Sequence, residues 1–140
     1  MRGTIRGVDD HHCESLASAW EFCASPSDVA VTPAAVAAAK ATWLPARVPT
    51  TAAASLRELG QWSLAGAARR FDAEDWWFRC QFVAAPAQDG ESLVLGFDGL
   101  ASVAEAWLNG ERLLTSDNMF LAHEVRLPTL LNTNELLRLE

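Results

Sequence analysis

Ala101-Ser102-Val103-Ala104-Glu105-Ala106-Trp107-Leu108-Asn109-Gly110-Glu111-Arg112-Leu113-Leu114-Thr115 decides the fold class of this chain. Asn-Gly is the pair that best tolerates positive φ at both central positions of a type I′ turn, and the twist of that turn suits two flanking strands. A tight hairpin at Asn109-Gly110 follows. Just upstream, Gly99 permits a sharp bend into the hairpin, and residues 92–98 read as the preceding strand. The clearest strand is 76–83, where Trp76, Phe78, Cys80 and Phe82 fall on one face and Trp77, Arg79 and Gln81 on the other. This period places Trp76, Phe78 and Phe82 in the core and leaves Trp77 as the freer aromatic. Residues 86–90 read as a turn. Downstream, alternation continues through 122–127, and a last strand starts at Glu135.

Towards the other end, residues 16–23 form a strand candidate with Leu16, Trp20 and Phe22 as its large apolar groups, ended by Ser25-Pro26-Ser27. Thr32 can cap a helix and Pro33 suits its first position, so residues 33–41 read either as a short helix or as a flexible alanine-rich insertion. A second helix over 52–59 has Thr50 or Thr51 as its cap and Gly60 just past its end, with Leu56 and Leu59 sharing a face. About seven short strands with one or two short helices predict an all-β, two-sheet sandwich. Residues 1–15 read as an N-terminal tail and 16–140 as a single domain.

At 140 residues the chain is long enough for one self-supporting core, and half of it is apolar, including six tryptophans. No apolar run is long enough to cross a bilayer, and residues 1–14 hold nothing like the apolar segment of a signal peptide. A cytoplasmic protein with no membrane partner is expected. Cys13, Cys23 and Cys80 are odd in number and contain no close pair, which fits a reduced compartment better than a disulfide framework. His11-His12-Cys13 lacks the four ligands at short spacing that a structural zinc site needs, so no metal is expected. A net charge of −7 and a single lysine, Lys40, argue against nucleic acid, whose phosphates demand clustered basic groups. The doublet Arg69-Arg70 reads as a solvated face.

The carboxylates Asp75, Asp98, Glu105 and Asp117 sit at strand ends or on strand faces. Nothing in the sequence gathers two of them into an apolar pocket, so they read as turn and cap residues and supply no catalytic pair. Three residues stand as candidate substrate contacts: Asp75 next to the aromatic Trp76, the outward-facing Trp77, and Asn118, whose amide suits a sugar hydroxyl. Each has a structural alternative, since Asp and Asn also close loops through their own backbone and aromatics at this period usually fill a core.

Trp43-Leu44-Pro45-Ala46-Arg47-Val48-Pro49-Thr50-Thr51, then residues 56–60, then Asp75-Trp76-Trp77-Phe78-Arg79-Cys80-Gln81-Phe82 resemble the amino-terminal sugar-binding domain of glycoside hydrolase family 2. Phe97-Asp98-Gly99-Leu100, the Trp107-Leu108-Asn109-Gly110 hairpin and Asn134-Glu135-Leu136 continue the resemblance, and Ser116-Asp117-Asn118-Met119-Phe120 is most similar to the β-mannosidase branch. Two stretches depart from the family pattern. Thr50 replaces the glycine of Val-Pro-Gly, and the loop 61–74 lacks the Asp-Pro-Phe-Tyr and Asn-Glu residues common in mannosidases. The resemblance implies a jelly-roll sandwich of the galactose-binding-domain type, followed in the parent enzyme by an immunoglobulin-like domain and a (β/α)8 barrel. It further implies a retaining, exo-acting hydrolase acting on a β-mannoside or related β-glycoside, with no cofactor and with two carboxyl groups about 5–5.5 Å apart in the barrel. On this reading the segment is truncated at its C-terminus in mid-strand and inactive alone. It would contact its own barrel and could self-associate through an exposed sheet edge. The alternative is a stand-alone carbohydrate-binding module.

Overall fold

The computed structural model describes residues 3–6, 13–17, 19–84, 92–101, 103–127 and 137–139. Strands β1 (Gly3–Arg6), β2 (Cys13–Ser15), β6 (Val94–Phe97) and β9 (His123–Arg126) form one sheet in the order β2-β1-β6-β9. A second sheet has the order β4-β3-β5-β10-β7-β8, from β3 (Trp20–Pro26), β4 (Leu44–Ala46), β5 (Glu74–Phe82), β7 (Ala104–Leu108), β8 (Glu111–Ser116) and β10 (Leu137–Leu139). Leu95 and Phe97 of the first sheet and Trp20, Cys80, Ala106 and Leu108 of the second share one buried cluster. The sandwich expected from the short alternating strands is therefore present.

Helix α1 (Pro33–Ala38) resolves the open alternative at the alanine-rich stretch. Thr32 Oγ1 accepts from the Ala35 N–H at 3.2 Å, and Pro33 opens the first turn, where its missing donor costs nothing. In α2 (Ala52–Glu58) the cap is Thr51, which accepts from the Ala54 N–H at 3.2 Å, while Gly60 takes φ 68° beyond the end. Thr50 escapes the left-handed region that glycine would favour, and its hydroxyl lies 3.2 Å from Ser55 Oγ.

The hairpin between β7 and β8 turns at Asn109 (φ 51°) and Gly110 (φ 84°), both positive as a type I′ turn requires. A Cβ on Gly110 would meet nothing within 4 Å, so the penalty for a side chain there is purely one of backbone conformation. Gly110→Val is accordingly expected to lose on the order of 1–2 kcal/mol and to lower the melting temperature by about 2–5 °C. An unchanged melting temperature would contradict the turn.

Three expectations need correction. Residues 1–15 are not merely a tail, because β1 pairs with β6 over four residue pairs, Gly3↔Phe97 to Arg6↔Val94, and β2 pairs with β1. Main-chain hydrogen bonds carry this pairing, so the weak apolar pattern of the segment did not reveal it. The strand sought at 16–23 starts at Trp20; Leu16 stays buried ahead of it and its carbonyl accepts from the Trp20 indole N–H. The last strand, expected from Glu135 as an exposed edge, is instead β10, set between β5 and β7 through Leu137↔Phe82, Arg138↔Gln81, Leu139↔Cys80 and Leu139↔Leu108. Insertion there satisfies donors and acceptors on two neighbours rather than one. The turn read at 86–90 and the residues His11, His12, Asn134 and Glu135 lie outside the described residues.

Strand β5 also differs in what its faces bury. Phe78 and Phe82 pack against the main core but are only half-buried, as is Trp76. Phe22 is the fully buried ring, stacked on Phe78 at 5.7 Å and on Trp76 at 6.2 Å between centroids. Trp76 is further fixed by its indole N–H donating to the Phe71 carbonyl at 3.2 Å, and the Arg69 guanidinium lies 4.9 Å from its ring.

Candidate functional site

Antiparallel partners point to the same side of a sheet, so the registers of β3, β4 and β5 define rows across the face turned away from the sandwich core. Pro45, Glu21 and Arg79 form one row, Cys23 and Trp77 the next, and Ser25 and Asp75 the one after. Trp43, two residues before Pro45, belongs to the same face. Polar and aromatic groups thus alternate over three strands. Arg79 donates from Nε to Glu21 Oε2 at 2.8 Å, its Nη2 lies 2.8 Å from the same oxygen as an ion pair, and its guanidinium lies 3.8 Å from the centroid of the Trp43 ring. Glu21 remains largely accessible, with 45 % of its side chain exposed against 22 % for Arg79. An exposed pair of this kind adds about 0–1 kcal/mol to stability, so its main consequence is a guanidinium held in one orientation.

An open depression of about 500 Å³ lies against this row, lined by Ala19, Trp20, Glu21, Pro45, Arg79, Cys80 and Gln81. Gln81 is exposed, and Ala19 adopts φ 58°, a left-handed conformation that costs an L-residue about 1–2 kcal/mol. The thiol of Cys80 is pushed up to about 12 by burial and stays protonated at neutral pH. No disulfide joins the three cysteines.

Trp77 is not the free aromatic that alternation suggested. It packs with Cys23, Ala30, Val36 and Trp43 in a second cluster beneath α1, and its indole nitrogen is buried without a hydrogen-bond partner. A period of two says which residues share a face, but not that a helix covers the outer one. Asp75, on the same face, accepts the Asp28 N–H at Oδ2 (3.0 Å), clasping the turn where Asp28 takes φ 62°. Its role in the fold is that of a turn cap.

Asn118 lies beyond β8, three strands away from β5 in the sheet order, so it is not brought together with the other two candidates. Its Oδ1 accepts the Phe120 N–H at 3.0 Å, an Asx turn, while its own N–H donates to Ser116 Oγ at 3.3 Å. His123 Nε2 lies 3.0 Å from the same hydroxyl. The turn holds Met119, Phe120 and Leu121 out into solvent, Phe120 being 88 % exposed.

Other carboxylates are engaged by arginines: Glu74 by Arg69 at 2.8 and 2.9 Å, Glu105 by Arg112 at 2.9 Å and Asp72 by Arg70 at 3.0 Å. The Glu74 carboxylate raises the pKa of Arg69 through its hydrogen bond, and Arg70 in the same way lowers that of Asp72. The pairing with Arg70 favours the ionised form of Asp72, the reverse of what a general acid requires. Glu21, Trp43 and Pro45 escaped the sequence reading because Glu21 and Arg79 are separated by 58 positions, and only the strand register makes them neighbours.

Residues 20–140 match the family described as the glycosyl hydrolase 2 galactose-binding domain-like domain. The chain belongs to this family. Among curated proteins, this glycosyl hydrolase 2 domain is 44 % identical over 63 residues to Beta-mannosidase B of Thermothelomyces thermophilus. It is 41 % identical over 58 residues to Beta-mannosidase B of Aspergillus terreus and 43 % identical over 58 residues to that of Aspergillus oryzae. The matched stretch is 44 % of this chain for the first and 41 % for the other two, and 7 % of each relative's length. No solved structure matches the chain. The family and the two-sheet, strand-rich fold thus agree with the resemblance read from the motifs.

Proposed function

We propose that this glycosyl hydrolase 2 domain is the N-terminal accessory domain of a retaining, exo-acting β-mannosidase-type enzyme. The observation that carries the proposal is the family match over residues 20–140 combined with similarity to several proteins named Beta-mannosidase B. Retention needs two carboxyl groups about 5–5.5 Å apart, one a nucleophile and the other an acid that later acts as a base. The arginine-paired carboxylates of this domain are poor material for that pair, so the barrel of the parent enzyme supplies both. The domain's part is to form one wall of the structure around the pocket. A reduced, cytoplasmic setting belongs to the same proposal, supported by an odd number of cysteines that form no disulfide with one another.

The test compares the purified 140-residue chain with the full-length product of its gene on aryl β-mannoside and aryl β-galactoside. Release of the aryl group from the mannoside by the full-length enzyme, and none by the chain alone, is the expected result. Turnover by the isolated chain would overturn the accessory role. A full-length enzyme active only on the galactoside would overturn the mannosidase assignment while leaving the family in place.

A further inference from the structure

We propose that the depression over Pro45, Glu21, Arg79 and Gln81 is a subsite for a neutral saccharide. The proposal rests on the preceding reading only for the choice of sugar. Hydroxyl recognition requires donors and acceptors fixed side by side, and this row supplies both. Arg79 is held from two directions, by Glu21 at 2.8 Å and by the Trp43 ring at 3.8 Å, so its remaining N–H groups do not have to be ordered when a ligand arrives. Its hydrogen bond and its ion-pair contact to the carboxylate both fall on Oε2, so Oε1 of the half-exposed Glu21 can accept from a hydroxyl. Gln81, exposed two residues along the same face, adds an amide that can donate and accept.

Charge selects the ligand class. Arg79 and Glu21 neutralise each other, so the row offers little to a phosphate or a free carboxylate and suits an uncharged polyol. Shape agrees with this. At about 500 Å³ the depression lies within the range of about 300–1,000 Å³ common for small-ligand sites, with Pro45 and Ala19 as apolar flanks against which a sugar ring can rest. Helix α1 covers the neighbouring row at Cys23 and Trp77, and the depression lies on the part of the face lined by 19–21, 45 and 79–81. Because the site is open on one side, binding is expected to be weak, with a Kd of about 1–10 mM.

The experiment titrates the 15N-labelled 140-residue chain with methyl β-mannoside and with β-1,4-mannobiose, using sodium phosphate and glycerol as controls. Saturable amide shifts are expected at residues 19–21, 44, 46 and 79–81 with the mannosides, and not with phosphate or glycerol. Gln81→Ala, an exposed change that leaves the Arg79 pair in place, should weaken binding about five-fold, as expected for loss of one hydrogen bond to an uncharged ligand, with an unchanged spectrum elsewhere. Glu21→Gln should do the same and also mobilise Arg79. Absence of saturation up to about 100 mM, which corresponds to negligible affinity, overturns the subsite. So do shifts confined to 117–121, or full binding by Gln81→Ala. These failures are distinct from failure of the mannosidase reading, which is decided by hydrolysis in the full-length enzyme and does not depend on Gln81.

Discussion

Phe22→Ala is expected to remove about 3–5 kcal/mol of folding stability, the loss typical of a large ring deleted from a close-packed interior. Phe22 is 0 % exposed and stacks on both Phe78 and Trp76 from the neighbouring strand. Its strand lies between β4 and β5, so the surrounding backbone is hydrogen-bonded on both sides and cannot easily collapse into the cavity. Domains of this size typically have only about 5–15 kcal/mol in total, so the variant should unfold at a much lower urea concentration. Phe82→Ala serves as the internal comparison. Phe82 is half-buried and should cost clearly less, although the strand pattern alone ranks the two alike. Equal denaturation midpoints for the two variants would show that the ring stack does not carry the packing energy assigned to it.

The second large effect concerns the first fifteen residues. A chain starting at Leu16 is expected to lose cooperative unfolding and to bind a hydrophobic dye, because it lacks β1 and β2. Strand β6 would keep β9 on one side but lose its four pairs with β1 on the other. Leu95 and Phe97, 0 % and 1 % exposed, sit on that strand, so an unpaired edge would open directly beside the core. With about 1.5–3 kcal/mol at stake for each large apolar side chain that loses its burial, wetting of Leu95 and Phe97 is comparable to a large part of the whole stability of a domain. Thermal unfolding monitored by circular dichroism checks this. A shortened chain that melts as sharply and at the same temperature as the complete one would show that the N-terminal strands are dispensable.

Sequence by itself determined what depends on neighbouring residues. Asn109-Gly110 forced a hairpin because few other pairs tolerate two positive φ angles, and a threonine cap with Gly60 marked the ends of the second helix because caps act within one turn, whereas the alanine-rich stretch after Thr32-Pro33 stayed open between helix and insertion until the structure showed α1. The order of weak motifs along the chain was likewise legible without coordinates, and the family match confirmed it. Tertiary structure decided everything that depends on register and on what lies above a sheet. Alternation in β5 separated Trp77 from Phe78, but only the placement of α1 packed Trp77 against a second cluster and buried its indole nitrogen. Asp75 became a clasp on the Asp28 turn and Asn118 an Asx turn for the same reason, that their partners are set by chain geometry as well as residue type. The row of Pro45, Glu21 and Arg79 could not be read from the chain because its members come from three strands, and a one-residue slip in register would have sent each to a different face.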